Sequence, residues 1–283
     1  MKEKLSMILS MVVFGTIGIF VKYIGLPSGL IAAARGITGA VVIILVMLIT
    51  KHKPDIKGVI KKLPVLIASG VAIGFNWILL FEAYNHTGIP VATVCYYTAP
   101  IFVVVASPFI FKNKLKPRQI ICVVLALLGV VAVSGVLQNG TTKITGVLLG
   151  IGAAVLYGSV MIMNKFMGDV PDYERTVIQL GSAGLVVLPY ALVTSSDVSV
   201  TSTSVILLAI VGVVHTGFAY LLYFGALKKL KSQTAAILSY IDPASAIILS
   251  SIVFTQLPTF YELVGVVLIM SAALLSENFK KAK

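Results

Sequence analysis

An all-α membrane protein, its ten transmembrane helices arranged as two inverted five-helix repeats, is the fold class that this 283-residue sequence predicts. Three observations predict it. The composition is too apolar to cover a water-soluble surface, ten apolar stretches approach or reach spanning length, and the chain resembles itself at one constant shift.

Hydrophobic residues make up 58% of the chain and charged residues only 11%, roughly half the charged share of a soluble domain. Mean hydropathy is +1.04. So few charges cannot clothe a soluble protein of this size, which excludes a soluble enzyme and a disordered chain alike. The net charge of +12 does not mark a nucleic-acid binder, because the basic residues are scattered over many short loops with no aromatic platform among them.

A bilayer core about 30 Å thick needs about 20 apolar residues of helix. The alternating polarity of a membrane β-barrel is absent, which leaves helices as the spanning elements. The first span, 5–24, follows Lys2 and Lys4 and imitates a secretion signal. It lacks a small-residue cleavage site and runs on into Lys22 and Tyr23, so it reads as retained. Span 29–50 follows the short link Leu26-Pro27-Ser28 and carries Arg35. Span 64–84 comes after a basic loop with Lys57, Lys61 and Lys62, and span 88–111, containing Pro100, after Asn85-His86-Thr87. Span 118–136 follows Lys112, Lys114 and Lys116 and ends at a polar loop. The second half repeats the rhythm with spans 146–167, 173–194, 204–226, 232–254 and 259–276. With the N-terminus inside, 19 of the 22 basic residues fall on the cytoplasmic side, Lys22 and Lys143 fall outside, and Arg35 lies within a span. That sorting predicts cytoplasmic termini in a plasma or inner membrane.

At a shift of 143, Phe14-Gly15 falls on Tyr157-Gly158, Gly74-Phe75 on Gly217-Phe218, Trp77 on Tyr220, Tyr97 on Tyr240 and Pro100 on Pro243. A constant shift that holds aromatic, glycine and proline positions over several spans is poorly explained by apolar helices resembling one another by chance. The repeats are 1–138 and 144–283. Each has an odd number of spans, so the second enters from the opposite side. Inverted repeats of this kind characterise secondary transporters with a midplane site.

These two halves, with their paired Phe14-Gly15 and Tyr157-Gly158 and their Pro100 and Pro243 spans, resemble the EamA type of the drug/metabolite transporter superfamily along essentially the whole chain. The resemblance implies that spans one to four and six to nine surround a cavity and that spans five and ten are peripheral. It also implies an exporter of amino acids, related metabolites or drugs, in some cases in exchange for protons.

Depth along each helix, at about 1.5 Å per residue, selects the candidate residues. Asp242 falls roughly 15 Å from the cytoplasmic end of span nine and His215 about 16 Å along span eight, both near the midplane. An acid there is a protonatable group or a counter-ion for a cationic ligand, or else a polar tie between helices. His215 reads as its proton partner across a cavity, or as a satisfied buried imidazole. Arg35 lies about 9 Å below the outer surface, where it can snorkel, pair with Glu82, or hold a substrate carboxylate. Pro100 and Pro243 remove mid-span donors and free the carbonyls of Tyr96 and Ser239, for a kink or for a cavity. Trp77, Tyr97, Tyr157, Tyr220 and Tyr240 are aromatic lining candidates, though a bundle tyrosine is more often a packing residue. Asn76 and Asn164 are polar candidates. No catalytic motif, metal spacing or cofactor loop is present, so the expected partners are a small-molecule substrate, protons and lipid, acting on a monomer. An uncoupled facilitator or importer, and a non-transporting scaffold, are the alternatives.

Overall fold

The computed structural model describes residues 2–112, 117–133, 144–168, 170–195, 198–227, 230, 238–239, 241–255 and 257–278. Tyr240, Lys143, Lys228, Lys229, Lys231 and the start of the ninth expected span lie outside them. The described residues form helices and no strand. These are α1 (Lys2–Ile24), α2 (Ser28–Ile49), α3 (Ile56–Thr87), α4 (Ile89–Tyr96), α5 (Ala99–Phe111), α6 (Pro117–Val133), α7 (Ile144–Phe166), α8 (Asp172–Thr194) and α9 (Ser202–Ile210). A π-helical segment (Val211–Phe218), α10 (Ala219–Leu227), α11 (Ile241–Val253) and α12 (Phe260–Asn278) follow among the described residues. Among the described residues seven spans are long and apolar enough to cross a membrane, α4 with α5 and α9 with its π-helical continuation counting as one each. Three further apolar helices are shorter.

The surface is apolar and the interior holds polar groups, the reverse of a soluble protein. Leu257 is 86% and Phe109 84% exposed, whereas Arg35 and His215 retain 6% and 2%. Helix α2 packs along α8, α3 along α7 and α8, and α1 along α10 and α11. The α6–α12 pair is the main contact of both its members, in line with the peripheral place expected for spans five and ten.

Three elements differ from the sequence reading. Helix α3 begins at Ile56 rather than 64, because the Asp55 side chain caps it by accepting from the Gly58 N–H at 3.0 Å. Apolarity marks the part of a helix in lipid and not its whole length. The fourth span is broken by a turn at Tyr97 and Thr98, so Pro100 is the second residue of α5 rather than a mid-helix kink. A proline in the first turn has no intrahelical donor to lose. Pro243 is the third residue of α11 as described. The eighth span widens into a π-helix at Val211–Phe218. Its glycines let it lie against α2, since a Cβ at Gly212 would come within 2.6 Å of Thr38 Cγ2.

Two helix contacts repeat at the 143-residue shift. A Cβ at Gly15 would meet the Asp242 carbonyl oxygen at 2.7 Å, and one at Gly158 would meet the Ala99 carbonyl oxygen at 3.2 Å. Both members of the first pair map onto the second. The approach of α2 and α8 is as close, with a Cβ at Gly184 falling 2.7 Å from the Ile37 nitrogen. Such small-residue contacts are how helices gain van der Waals packing in lipid. Gly184→Val should therefore cost about 3 kcal/mol of overpacking and lower the unfolding midpoint in detergent. Gly181→Val should leave it nearly unchanged, because the nearest atom there is 3.9 Å away. Equal shifts would contradict the close approach at Gly184.

Candidate functional site

Arg35 is carried on the buried face of α2 and points into the bundle, neither snorkelling outward nor pairing with Glu82. Its Nε donates to Thr216 Oγ1 at 2.9 Å, and its guanidinium carbon lies 4.2 Å from the Trp77 ring centroid. A planar, weakly hydrated guanidinium is stabilised by an aromatic face in this way. Thr216 Oγ1 in turn donates to the Val211 carbonyl at 3.1 Å, a five-residue reach that the π-helix provides. The hydroxyl proton is thus committed, and its lone pair receives Arg35. The two terminal nitrogens of Arg35 have no acceptor among the described residues. A buried, immobilised guanidinium is left with its fork open.

Asp242 stands near the start of α11, where Tyr97 donates to its Oδ2 at 2.5 Å. Tyr97 occupies the turn between α4 and α5, so the break in the fourth span delivers this hydroxyl. Arg35 interacts electrostatically with Tyr220, Tyr96, Tyr84, Asp242 and His215. Arg35 and Asp242 form no ion pair, although each feels the other's charge. Tyr157 from α7 stacks on Tyr96, centroids 5.1 Å apart, and Phe14 from α1 packs edge-on against Tyr220 at 5.3 Å. Eight separate segments, α1, α2, α3, α4 with its following turn, α7, the π-helix, α10 and α11, therefore contribute to one polar region.

His215 and Asp242 do not meet. His215 Nε2 lies 2.9 Å from Thr16 Oγ1, and that hydroxyl already donates to the Val13 carbonyl at 2.8 Å. A threonine hydroxyl has one proton, so His215 Nε2 is the donor. The imidazole is thereby tied to α1, with Phe20 edge-on at 4.6 Å. Asn76 donates to the Ala153 carbonyl and joins α3 to α7. Asn164 accepts from Gln179 Nε2 at 3.0 Å, and the same Gln179 nitrogen donates to Ser69 at 2.7 Å. Both asparagines tie helices together, and neither bonds to Arg35 or Asp242. Tyr240 lies outside the described residues. The sequence reading missed Thr216 and Thr16, whose only signal was their neighbourhood to His215 and Phe14-Gly15. It also missed the contact of buried Glu174 with His52 at 3.0 Å and with the Asp55 N–H at 3.1 Å, which docks the α2–α3 loop on α8. No group of three metal-ligating side chains is assembled among the described residues.

A multi-pass helical bundle, apolar outside and holding charged and aromatic groups in its interior, is an architecture that membrane transporters share. The EamA-like transporter family model matches residues 1–135 and again 144–277, and the chain belongs to that family, within the drug/metabolite transporters. Over 277 residues it is 26% identical to the uncharacterized transporter YxxF of Bacillus subtilis, covering 96% of this chain and 88% of the relative. It is 23% identical over 223 residues to a Salmonella typhimurium protein named "Probable amino-acid metabolite efflux pump", covering 74% and 75%. Human solute carrier family 35 member G1 is 23% identical over 220 residues, covering 73% of this chain and 60% of the relative. One solved crystal structure superposes with a TM-score of 0.66 at 17% identity, over 99% of both chains, which shows a shared fold.

Proposed function

We propose that this transporter exports a small zwitterionic metabolite, such as an amino acid or a related compound, by alternating access in a cell membrane. The observation that carries the proposal is a buried guanidinium and a half-buried carboxylate in the bundle interior that do not touch. Arg35 is held back by Thr216 and Trp77, and Asp242 is held by Tyr97. In a medium of low dielectric, opposite charges attract strongly, and these two are kept apart by their own partners. A ligand with a carboxylate for the Arg35 fork and an ammonium for Asp242 satisfies both.

Asp242 is the coupling group in this reading, taking a proton when the cation is absent. His215 supports the site through Thr16 and the π-helix rather than by sharing that proton. Two inverted five-helix repeats, 1–138 and 144–283, supply the alternating access. The double family match and the repeated Gly15 and Gly158 contacts favour that arrangement. The relative named as an efflux pump favours export. Counterflow of labelled amino acids in proteoliposomes, with and without an imposed pH gradient, tests the proposal. Gradient-stimulated flux is expected. Flux indifferent to the gradient would indicate a facilitator, and no flux of any amino acid would remove the reading.

The charge sorting favours cytoplasmic termini. Single cysteines at Lys143 and Lys229, exposed to an impermeant thiol reagent on intact cells, should label at 143 and not at 229. The reverse pattern would invert the orientation.

A further inference from the structure

A second place suited to an anion lies away from Arg35, where the C-terminal end of α1, the first turn of α2 and the last turn of α3 meet. A cleft of ≈ 390 Å³ there is lined by Lys22, Leu26, Pro27, Ser28, Asn85 and Val198, among others. Lys22 also lines an adjoining smaller cleft beside Gly88 and Ser250. No carboxylate of the described residues pairs with Lys22. Helix α2 begins here without a side-chain cap, and its first N–H groups carry partial positive charge. Ser28 in that first turn is 2% exposed, lines the cleft, and its hydroxyl has no hydrogen-bond partner among the described residues. A lysine, an uncapped helix start and an unpartnered hydroxyl open to the cleft thus line one space, and all three favour a small oxyanion.

Ser28 and Arg35 are seven residues apart on α2, two turns or about 10.5 Å along one face. Both are buried on that face. We propose that this cleft is a shallower waiting site for the carboxylate end of the cargo, from which α2 leads to or from the Arg35 fork. On the orientation proposed above it is the extracellular mouth. The inference rests on the reading that the cargo bears a carboxylate, and its test needs no transport.

A cysteine placed at Asn85, in a chain with Cys95 and Cys122 replaced by alanine, reports the charge preference of the cleft directly. In protein reconstituted in phosphatidylcholine, its rate with sulfonatoethyl methanethiosulfonate is compared with its rate with the trimethylammonium analogue, each relative to a free thiol. The sulfonate is expected to be favoured roughly tenfold. Sodium acetate should slow the reaction more than the same concentration of sodium chloride. Lys22→Gln should bring the ratio down to that of a free thiol, and Lys22→Arg should retain it. Ser28→Ala should weaken protection by acetate while leaving the ratio high. A ratio unchanged by Lys22→Gln would overturn the proposal. So would protection by phosphatidylglycerol vesicles without protection by acetate, since the cleft would then hold a lipid headgroup. Failure of amino-acid flux with the charge preference intact would count against the cargo reading and not against the cleft.

Discussion

Arg35→Gln is expected to weaken cargo binding about 100-fold while leaving the bundle folded. The wild-type guanidinium offers two parallel N–H bonds to a carboxylate, and such charge-assisted forks are the strongest hydrogen bonds a side chain makes. Losing the fork inside a desolvated site costs on the order of 3 kcal/mol, about a 100-fold rise in Kd. Folding should survive because a buried charge is expensive to desolvate, so its removal offsets the loss of the Thr216 and Trp77 contacts. Glutamine is also long enough to keep a bond to Thr216. Arg35→Lys is the informative companion. It keeps the charge but not the planar fork, and should recover binding only in part. Calorimetric titration of the purified variants separates these outcomes from misfolding, which gel filtration reports. Binding within threefold of wild type in Arg35→Gln would remove Arg35 from the site.

Asp242→Asn has the second large effect, on coupling rather than on assembly. Asparagine preserves the shape and still accepts from Tyr97, so the contact between α11 and the α4–α5 turn remains. It cannot take up or release a proton. The variant should insert and purify like the parent and lose flux driven by a pH gradient by at least tenfold. Exchange without a gradient decides what Asp242 holds: if exchange survives, its role is the proton, and if it is lost as well, its role is the cationic end of the cargo. Undiminished gradient-driven transport would reduce Asp242 to a structural contact.

Much of this bundle was legible because lipid imposes simple rules. Apolar runs fell on the described membrane helices, and lysine- and arginine-bearing loops marked alternate connections between them. Particular residues show where those rules stop. Arg35 lies close enough to a helix end for snorkelling or a pair with Glu82 to be reasonable, and hydropathy says nothing about which face of α2 it occupies. Its inward turn depends on Trp77 and on Thr216, a residue type too common in helices to stand out. The π-helix over Val211–Phe218 left no mark in the apolar pattern, since a widened helix is as apolar as a regular one. Pro100 was visible as a disruption, but whether a proline kinks a helix or opens a new one depends on the turn before it. Asn76 and Asn164 were singled out for polarity alone, and polarity serves helix cohesion in lipid as readily as it serves a ligand.

The central claim is that Arg35 and Asp242 receive opposite ends of one molecule, and paired-analogue binding tests it most directly. Each of a panel of amino acids is titrated into the purified protein beside its decarboxylated amine and its deaminated acid, with the rise in unfolding midpoint as readout. For at least one amino acid the intact zwitterion should stabilise the protein well beyond either analogue. That advantage should vanish in Arg35→Gln, with its amine then binding as well as the amino acid itself. An amine or an acid that stabilises the wild-type protein as strongly as every parent amino acid would contradict the account.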